Sequence, residues 1–284
     1  MQHKLIPTPP RSDLHIHTFC SPDSSTSPDD VCRAALQRGL DAVGISDHAE
    51  SWKPWDKDSP ICFQGRRYSD AGEYFRLIGE VKEKYKGRLT VLAGVEIGYL
   101  SSREDDIRAF VEAYPFDYVI GSIHDSPPIN WWNPGSADLL KSRPDLGREA
   151  LIFYYTEVRK AAESGLFNIS AHIDIYERYL PRLWPDIFTD EEVAPVVRAA
   201  VEAIARNTRM ELNLTTLHTQ QAFPWSALRL LKMYREAGGK PPTVGSDSHN
   251  PKWIGVDMDK AEELAREAGF EALADWREVV RRPV

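Results

Sequence analysis

The chain has little of what marks several large protein classes. Cysteine is scarce: Cys20, Cys32 and Cys62 are the three in 284 residues, and their spacing suits neither a zinc cluster nor a redox pair. An odd, scattered set points to reduced thiols and a cytoplasmic address. No run approaches the ~18 apolar residues that a membrane span needs. Residues 1–7 have no apolar core of the kind a secretory leader carries. Positive charge is in deficit, with a net charge of −8, which argues against a general nucleic-acid or membrane-surface binder. Low-complexity segments and fixed-period repeats are missing, and no glycine-rich phosphate loop follows an apolar run.

What remains is an ordinary globular composition, 42% hydrophobic and 27% charged, enough for one large domain or two small ones. Strand-like and helix-like patterns alternate along it. Buried-strand runs fall at 42–46, 89–95, 118–123, 167–171, 210–214 and 242–246, after an opening strand at 13–17. Helical patterns lie between them, at 71–86, 105–113, 146–164, 191–207 and 224–237, with two more at 260–269 and 272–280. An earlier helix starts at Ser27-Pro28-Asp29-Asp30, where Ser27 can cap and Pro28 suits the first position. Residues 51–69 and the Pro- and Trp-rich stretch after His124 read as loops over the mouth of the fold. Such alternation implies an α/β fold with a parallel sheet. A closed or nearly closed β/α barrel fits best, and a doubly wound open sheet is the alternative.

Chemistry collects at the ends of these strands. In Asp13-Leu14-His15-Ile16-His17, alternation puts Leu14 and Ile16 on one face and the two histidines on the other, roughly 7 Å apart at Cα. Of the eight histidines in the chain, His15, His17, His48, His124, His172 and His249 sit at or just after strand ends, as do Glu96 and Asp247. A barrel brings all strand ends to one mouth, so these side chains are expected to converge as a multinuclear metal site. With Asp23 they make nine imidazole and carboxylate donors and no thiolate, a set that suits Zn, Mn, Fe or Co rather than Ca or Mg alone. Three ions can be held if one carboxylate bridges. Three divalent ions would outweigh the carboxylates of Asp23, Glu96 and Asp247, leaving a positive mouth in an acidic protein and a place for a phosphate ester.

These segments resemble the polymerase-and-histidinol-phosphatase (PHP) superfamily of metal-dependent phosphoesterases. The matching pieces are Asp13-Leu14-His15-Ile16-His17-Thr18, Ser46-Asp47-His48, Gly94-Val95-Glu96, Gly121-Ser122-Ile123-His124, Ala171-His172-Ile173-Asp174 and Gly245-Ser246-Asp247-Ser248-His249, in the family's order. Tyr154-Tyr155, Glu211-Leu212-Asn213 and Ala268-Gly269-Phe270 look most like the stand-alone histidinol-phosphate phosphatases. The resemblance implies a single domain over residues 1–284, a distorted (β/α)7 barrel and three divalent metal ions (Zn, Mn or Fe). One ion would take His15, His17, Glu96 and Asp247, a second Glu96, His124 and His172, and a third His48, His249 and Asp23. Several relatives have His where Asp23 stands here.

The implied activity is hydrolysis of a phosphomonoester, L-histidinol phosphate, by a hydroxide bridging the metals, with Glu96 and Asp247 as catalytic carboxylates. Another phosphomonoester, or nucleotides and oligonucleotides in a phosphodiesterase or nuclease, is the alternative. A non-enzymatic barrel is disfavoured by the intact ligand set. The leaving group needs a proton, for which His218 or a water held by Asp47 or Asp174 is a candidate. Trp55, Trp131, Trp132, Arg143, Arg178 and Gln220 are candidates for the substrate rim.

Overall fold

The computed structural model of the chain describes residues 11–51, 58, 60–65, 70–131, 133, 135–180 and 184–280. In order, these form β1 (Ser12–Asp13), α1 (Pro28–Gln37), β2 (Ala42–Ile45), β3 (His48–Ser51), β4 (Ile61–Phe63), α2 (Ala71–Tyr85), β5 (Thr90–Ala93), β6 (Glu96–Gly98), α3 (Glu104–Ala113), β7 (Ile120–Ser122), α4 (Ser136–Ser142), α5 (Pro144–Glu163), β8 (Ile169–Ser170), α6 (Tyr176–Tyr179), α7 (Val193–Asn207), β9 (Arg209–Asn213), α8 (Thr215–Gln220), α9 (Ala227–Glu236), β10 (Thr243–Gly245) and α10 (Met258–Glu267). Strands pair as β1-β2-β5 in one sheet and β10-β9-β8-β7-β6-β3-β4 in another, parallel throughout except for β3 with β4. The fold is thus α/β with parallel sheets and crossover helices. Among the described residues no helix is long and apolar enough to cross a membrane.

Local chemistry explains the helix starts. Ser27 Oγ accepts from Asp30 N at 3.1 Å and the Asp30 carboxylate reaches back to Ser27 N, a capping box with Pro28 next to it. Such a cap contributes about 1 kcal/mol. Asp70 caps α2 in the same sense, and Tyr74, Ile78, Val81 and Tyr85 form its buried stripe.

The two sheets come from two strands that each break in the middle. β2 stops at Ile45 and resumes as β3 at His48, while β5 stops at Ala93 and resumes as β6 at Glu96. The breaks stay in register, because Gly94 N donates to Ile45 O at 2.7 Å and Glu96 N to Asp47 O at 3.1 Å. The Tyr74 hydroxyl lies 2.9 Å from Ile45 O and 2.6 Å from Gly94 O, so one buried donor serves both carbonyls at the break. Tyr118 needs Gly44 and Gly94 there. A Cβ on either residue would come within 2.0 or 2.3 Å of the Tyr118 ring or hydroxyl. The break matters for function, because it makes His48 and Glu96 the first residues of new strand segments rather than the tail of old ones.

Four expectations are corrected. Leu14 and Ile16 do not share a face: Leu14 packs with Leu92, Tyr118, Ile120 and Ile169, whereas Ile16 joins the large core with Val43 and Ile45. Regular pairing of β1 ends at Asp13, whose carboxylate accepts from His15 N at 3.4 Å, and the chain then leaves simple alternation. Residues 51–69 are not wholly loop, since β4 pairs antiparallel with β3. Residues 272–280 form only a short 3-10 turn at Trp276–Glu278 in place of a helix, capped by Asp275. The helix α4, inside the expected loop after His124, was not visible as a pattern because only Ser136 and Leu140 of it are buried.

Candidate metal centre

The strand ends bring His15, His17, His48, Glu96, His124, His172, Asp247 and His249 into one contiguous cluster. Within it, four sets of three donor atoms lie within 4.8 Å of one another: His17, His48 and His249; His15, His17 and Asp247; His15, Glu96 and His172; His48, Glu96 and His124. Glu96 is the hub and is fully buried. Its Oε1 is 3.0 Å from His172 Nε2, 3.4 Å from His124 Nε2 and 2.7 Å from Ser122 Oγ. Its Oε2 is 2.7 Å from His48 Nδ1, 3.3 Å from His15 Nε2 and 3.5 Å from His17 Nε2. Asp23 stands at the open edge, with Oδ2 3.1 Å from His249 Nε2 and 3.9 Å from His48 Nε2. This grouping cuts across the expected ligand sets: His172 and His124 sit on the same oxygen of Glu96 but in different triplets, one with His15 and the other with His48, and His17 also groups with His48 and His249.

Backbone strain helps to aim two of these side chains. Asp247 has φ +50° and His172 φ +22°, left-handed values that non-glycine residues seldom adopt. Asp247 turns Oδ1 towards His17 Nε2, at 3.1 Å. Its Oδ2 accepts from Thr215 Oγ1 at 3.0 Å and lies 3.7 Å from Arg178 Nη1.

The imidazoles are held in a defined tautomer. His15 Nδ1 is 2.7 Å from Glu211 Oε1, His124 Nδ1 bonds Glu50, His249 Nδ1 is 3.0 Å from the carbonyl of Asp247, and His17 Nδ1 is 3.1 Å from Ser21 Oγ. Carboxylates and a carbonyl only accept, and Ser21 gives its own proton to Asp47 at 2.7 Å, so each Nδ1 is the donor and each Nε2 keeps its lone pair for the cluster. Burial, then the neighbouring His249 and His48, push His17 down to about 3, which keeps it neutral. Burial works against ionising Glu96, but His15, His48 and His124, themselves pushed up by the surrounding carboxylates and so inclined to carry a proton unless a cation takes its place, outweigh it and hold the carboxyl well below the usual range.

These residues fit divalent ions. Buried His15 Nε2, His17 Nε2 and Glu96 Oε2 face one another without a hydrogen bond, an arrangement that is costly unless something positive lies between them. The donors are nitrogen and oxygen only, as Zn, Mn or Fe prefer.

The other candidates fare differently. Arg178, about a quarter exposed, is the rim candidate that reaches the cluster, through Asp247. Trp131 is buried edge-on against Tyr154, a packing position rather than a rim one. Arg143 is exposed and pairs with Asp145 at 2.6 Å. Gln220 donates to the carbonyl of Arg178 at 2.7 Å, so it holds that residue's backbone. His218 stacks on Trp253 with its Nε2 3.4 Å from Val256 O, and burial lowers its pKa. Its Nε2 also lies 3.7 Å from Asp257 Oδ2. Asp47 is occupied by Thr18 N, Thr18 Oγ1 and Ser21 Oγ, so it shapes the loop after His17. Asp174 is half-buried, and loss of solvent raises its pKa. Trp55 and Trp132 lie outside the described residues. Sequence reasoning missed Glu50 and gave Glu211 no role. Both were within reach, since Glu50 follows His48 at i+2 on a strand, and Glu211 lies in the one strand that had no assigned donor.

Comparison with known proteins adds an independent line. The model of the PHP domain family matches residues 13–215. The histidinol-phosphatase of Lactococcus lactis subsp. lactis is 27% identical over 271 residues, covering 93% of each chain. That of Bacillus subtilis is 25% identical over 261 residues, covering 86% of this chain and 96% of its own. Among solved structures, histidinol phosphate phosphatase from Lactococcus lactis, in complex with zinc, L-histidinol and phosphate, superposes with a TM-score of 0.75 at 25% identity, over 93% of this chain and 95% of that one.

Proposed function

Since the chain belongs to the PHP domain family, we propose that it is a metal-dependent phosphomonoesterase that hydrolyses L-histidinol phosphate to L-histidinol and phosphate. The observation that carries this reading is the convergence of eight buried or half-buried imidazole and carboxylate side chains on one mouth, with Nδ1 of His15, His17, His124 and His249 bonded outside it and their Nε2 turned inward. The similarity to histidinol-phosphatases over nearly the whole chain supports the substrate.

In this reading the site holds three divalent ions, Zn, Mn or Fe, with His15, His17, His48, Glu96, His124, His172, Asp247, His249 and Asp23 as ligands and Glu96 as the bridge. Bound ions would neutralise phosphate oxygens and lower the pKa of a coordinated water. Everything else falls to the chain's own residues. Glu96 and Asp247 fix the spacing of the donors, each with one oxygen tied to a neighbouring hydroxyl, Ser122 or Thr215. Arg178, beside Asp247, offers a guanidinium to a phosphate oxygen. The fold reading extends to one distorted (β/α)7 barrel domain over residues 1–284. Hydrogen bonds from Leu14 N to Val244 O at 3.1 Å and from His17 N to Ser248 O at 3.0 Å support it by linking the first strand to the last. Buried, unpaired Cys20 and Cys32 support a cytoplasmic location.

The class is tested by assaying the zinc- or manganese-loaded protein on a phosphomonoester and a phosphodiester model substrate. Preferential release of phosphate from the monoester is expected, and faster cleavage of the diester would overturn the assignment. Arg178→Ala should lower kcat/KM for the phosphomonoester about 10- to 100-fold, the loss expected for one charge-assisted bond, with Arg178→Lys intermediate. A kinetic profile unchanged in Arg178→Ala would remove Arg178 from the phosphate site. Asp23→Ala should cost roughly one of the three ions per chain while Glu96 retains the others, and Asp23→His should restore it. Metal content unchanged by Asp23→Ala would return Asp23 to the turn it shares with Ser24.

A further inference from the structure

Two carboxylates outside the ligand set stand in equivalent relations to it. Glu211 accepts from His15 Nδ1 at 2.7 Å, and Glu50 accepts from His124 Nδ1. The opposite nitrogens of the two rings then meet Glu96 from different sides, His15 Nε2 3.3 Å from Oε2 and His124 Nε2 3.4 Å from Oε1. Each carboxylate occupies a slot that only glycine leaves open. A Cβ at Gly245 would come within 2.1 Å of Glu211 Oε1, and one at Gly98 within 2.8 Å of Glu50 Cδ. Glu211 is further oriented by His172 N at 3.1 Å and Asn213 Nδ2 at 3.0 Å, both on Oε2. By contrast, His17 and His249 rest their Nδ1 on uncharged partners, Ser21 Oγ and the carbonyl of Asp247.

Adding two more anions, Glu211 buried and Glu50 partly so, beside Glu96 and Asp247 is unfavourable unless cations sit on the far side of the rings. We propose that Glu50 and Glu211 are positioning residues of the centre: their negative charge, delivered through the Nδ1–H of His124 and His15, strengthens the inward Nε2 as a metal donor and governs how tightly the ions around Glu96 are kept. A carboxylate on Nδ1–H raises the basicity of the other ring nitrogen, and such partners are worth about 10- to 100-fold in metal affinity. The inference rests on the reading that the cluster holds divalent ions, and it goes beyond that reading by assigning affinity to residues that touch no ion.

The test uses the zinc-loaded protein and a competing chelator that reports released zinc. Glu211→Gln and Glu50→Gln keep the shape and an acceptor oxygen but lose the charge. Each is expected to release zinc at a chelator concentration about 10- to 100-fold lower than wild type, while the chelator-stripped proteins melt where stripped wild type does. Glu50, about a quarter exposed, provides the variant least exposed to a folding defect should Glu211→Gln misfold. Gly98→Ala, which displaces Glu50 without touching its chemistry, should act in the same direction. Retention equal to wild type in both Gln variants would overturn the positioning role, leaving the two carboxylates as shape-filling acceptors. Failure of the wild-type protein to retain zinc, manganese or iron would overturn the functional reading and this inference with it, which keeps the two failures apart.

Discussion

Glu96→Gln is expected to lose turnover by on the order of 10³-fold, the scale seen when one preorganised charged group is removed from a reacting centre, while the chain still folds. Five imidazoles surround this one carboxylate, three on one oxygen and two on the other. Gln keeps a carbonyl oxygen for Ser122 Oγ, so packing survives. It cannot present a second anionic oxygen, so the proposed bridge fails. The measurement is kcat together with metal content by elemental analysis and a far-UV spectrum. Near-normal turnover at full metal content would remove Glu96 from the bridging role.

Chelation is expected to abolish activity and also to lower the melting temperature by about 10 °C. A ligand present at a hundred times its Kd contributes about 2.7 kcal/mol to stability, and each kcal/mol moves Tm by about 2–4 °C in a chain of this size class. Tight retention of even one ion therefore gives a shift of that order, roughly 5–11 °C. The physical basis is specific. His15 Nε2, His17 Nε2 and Glu96 Oε2 are buried without hydrogen bonds, and stripping the ions leaves them facing one another. Thermal unfolding with and without chelator, followed by add-back of zinc, reads the effect. A stripped protein that melts where the loaded one does would mean that the cluster binds metal only peripherally.

The sequence carried the strand-helix alternation and the ligand-bearing strand ends because both are periodic or local. Apolar runs such as 42–46 and 118–123 reveal buried strands directly, and His15, His17, Asp247 and His249 sit in motifs a few residues long. What stayed hidden depends on contacts between distant segments. The packing of Tyr118 against Gly44 and Gly94 beside the breaks in β2 and β5 is one such contact, which no local pattern records. The pairing of β3 with β4 lies in a stretch whose Pro and Trp content reads as loop. Trp131 and Trp132 were equivalent as sequence, yet Trp131 is core because Tyr154 lies beside it. His218 read as a proton donor because its residue type allows it. Its stack on Trp253 and its approach to Val256 O involve residues that no local pattern links to it. The partition of donors among triplets likewise depends on rotamers, fixed by Glu50, Glu211 and Ser21 from three different segments.

The most direct measurement of the central claim is kcat/KM of the metal-loaded protein for L-histidinol phosphate beside that for 4-nitrophenyl phosphate, each repeated after chelation. The account predicts metal-dependent phosphate release with a preference for L-histidinol phosphate of at least ~100-fold, as expected of a site that reads polar groups on its substrate. Equal efficiency on the two esters, or no phosphate release from L-histidinol phosphate by a protein shown to carry its ions, would contradict it.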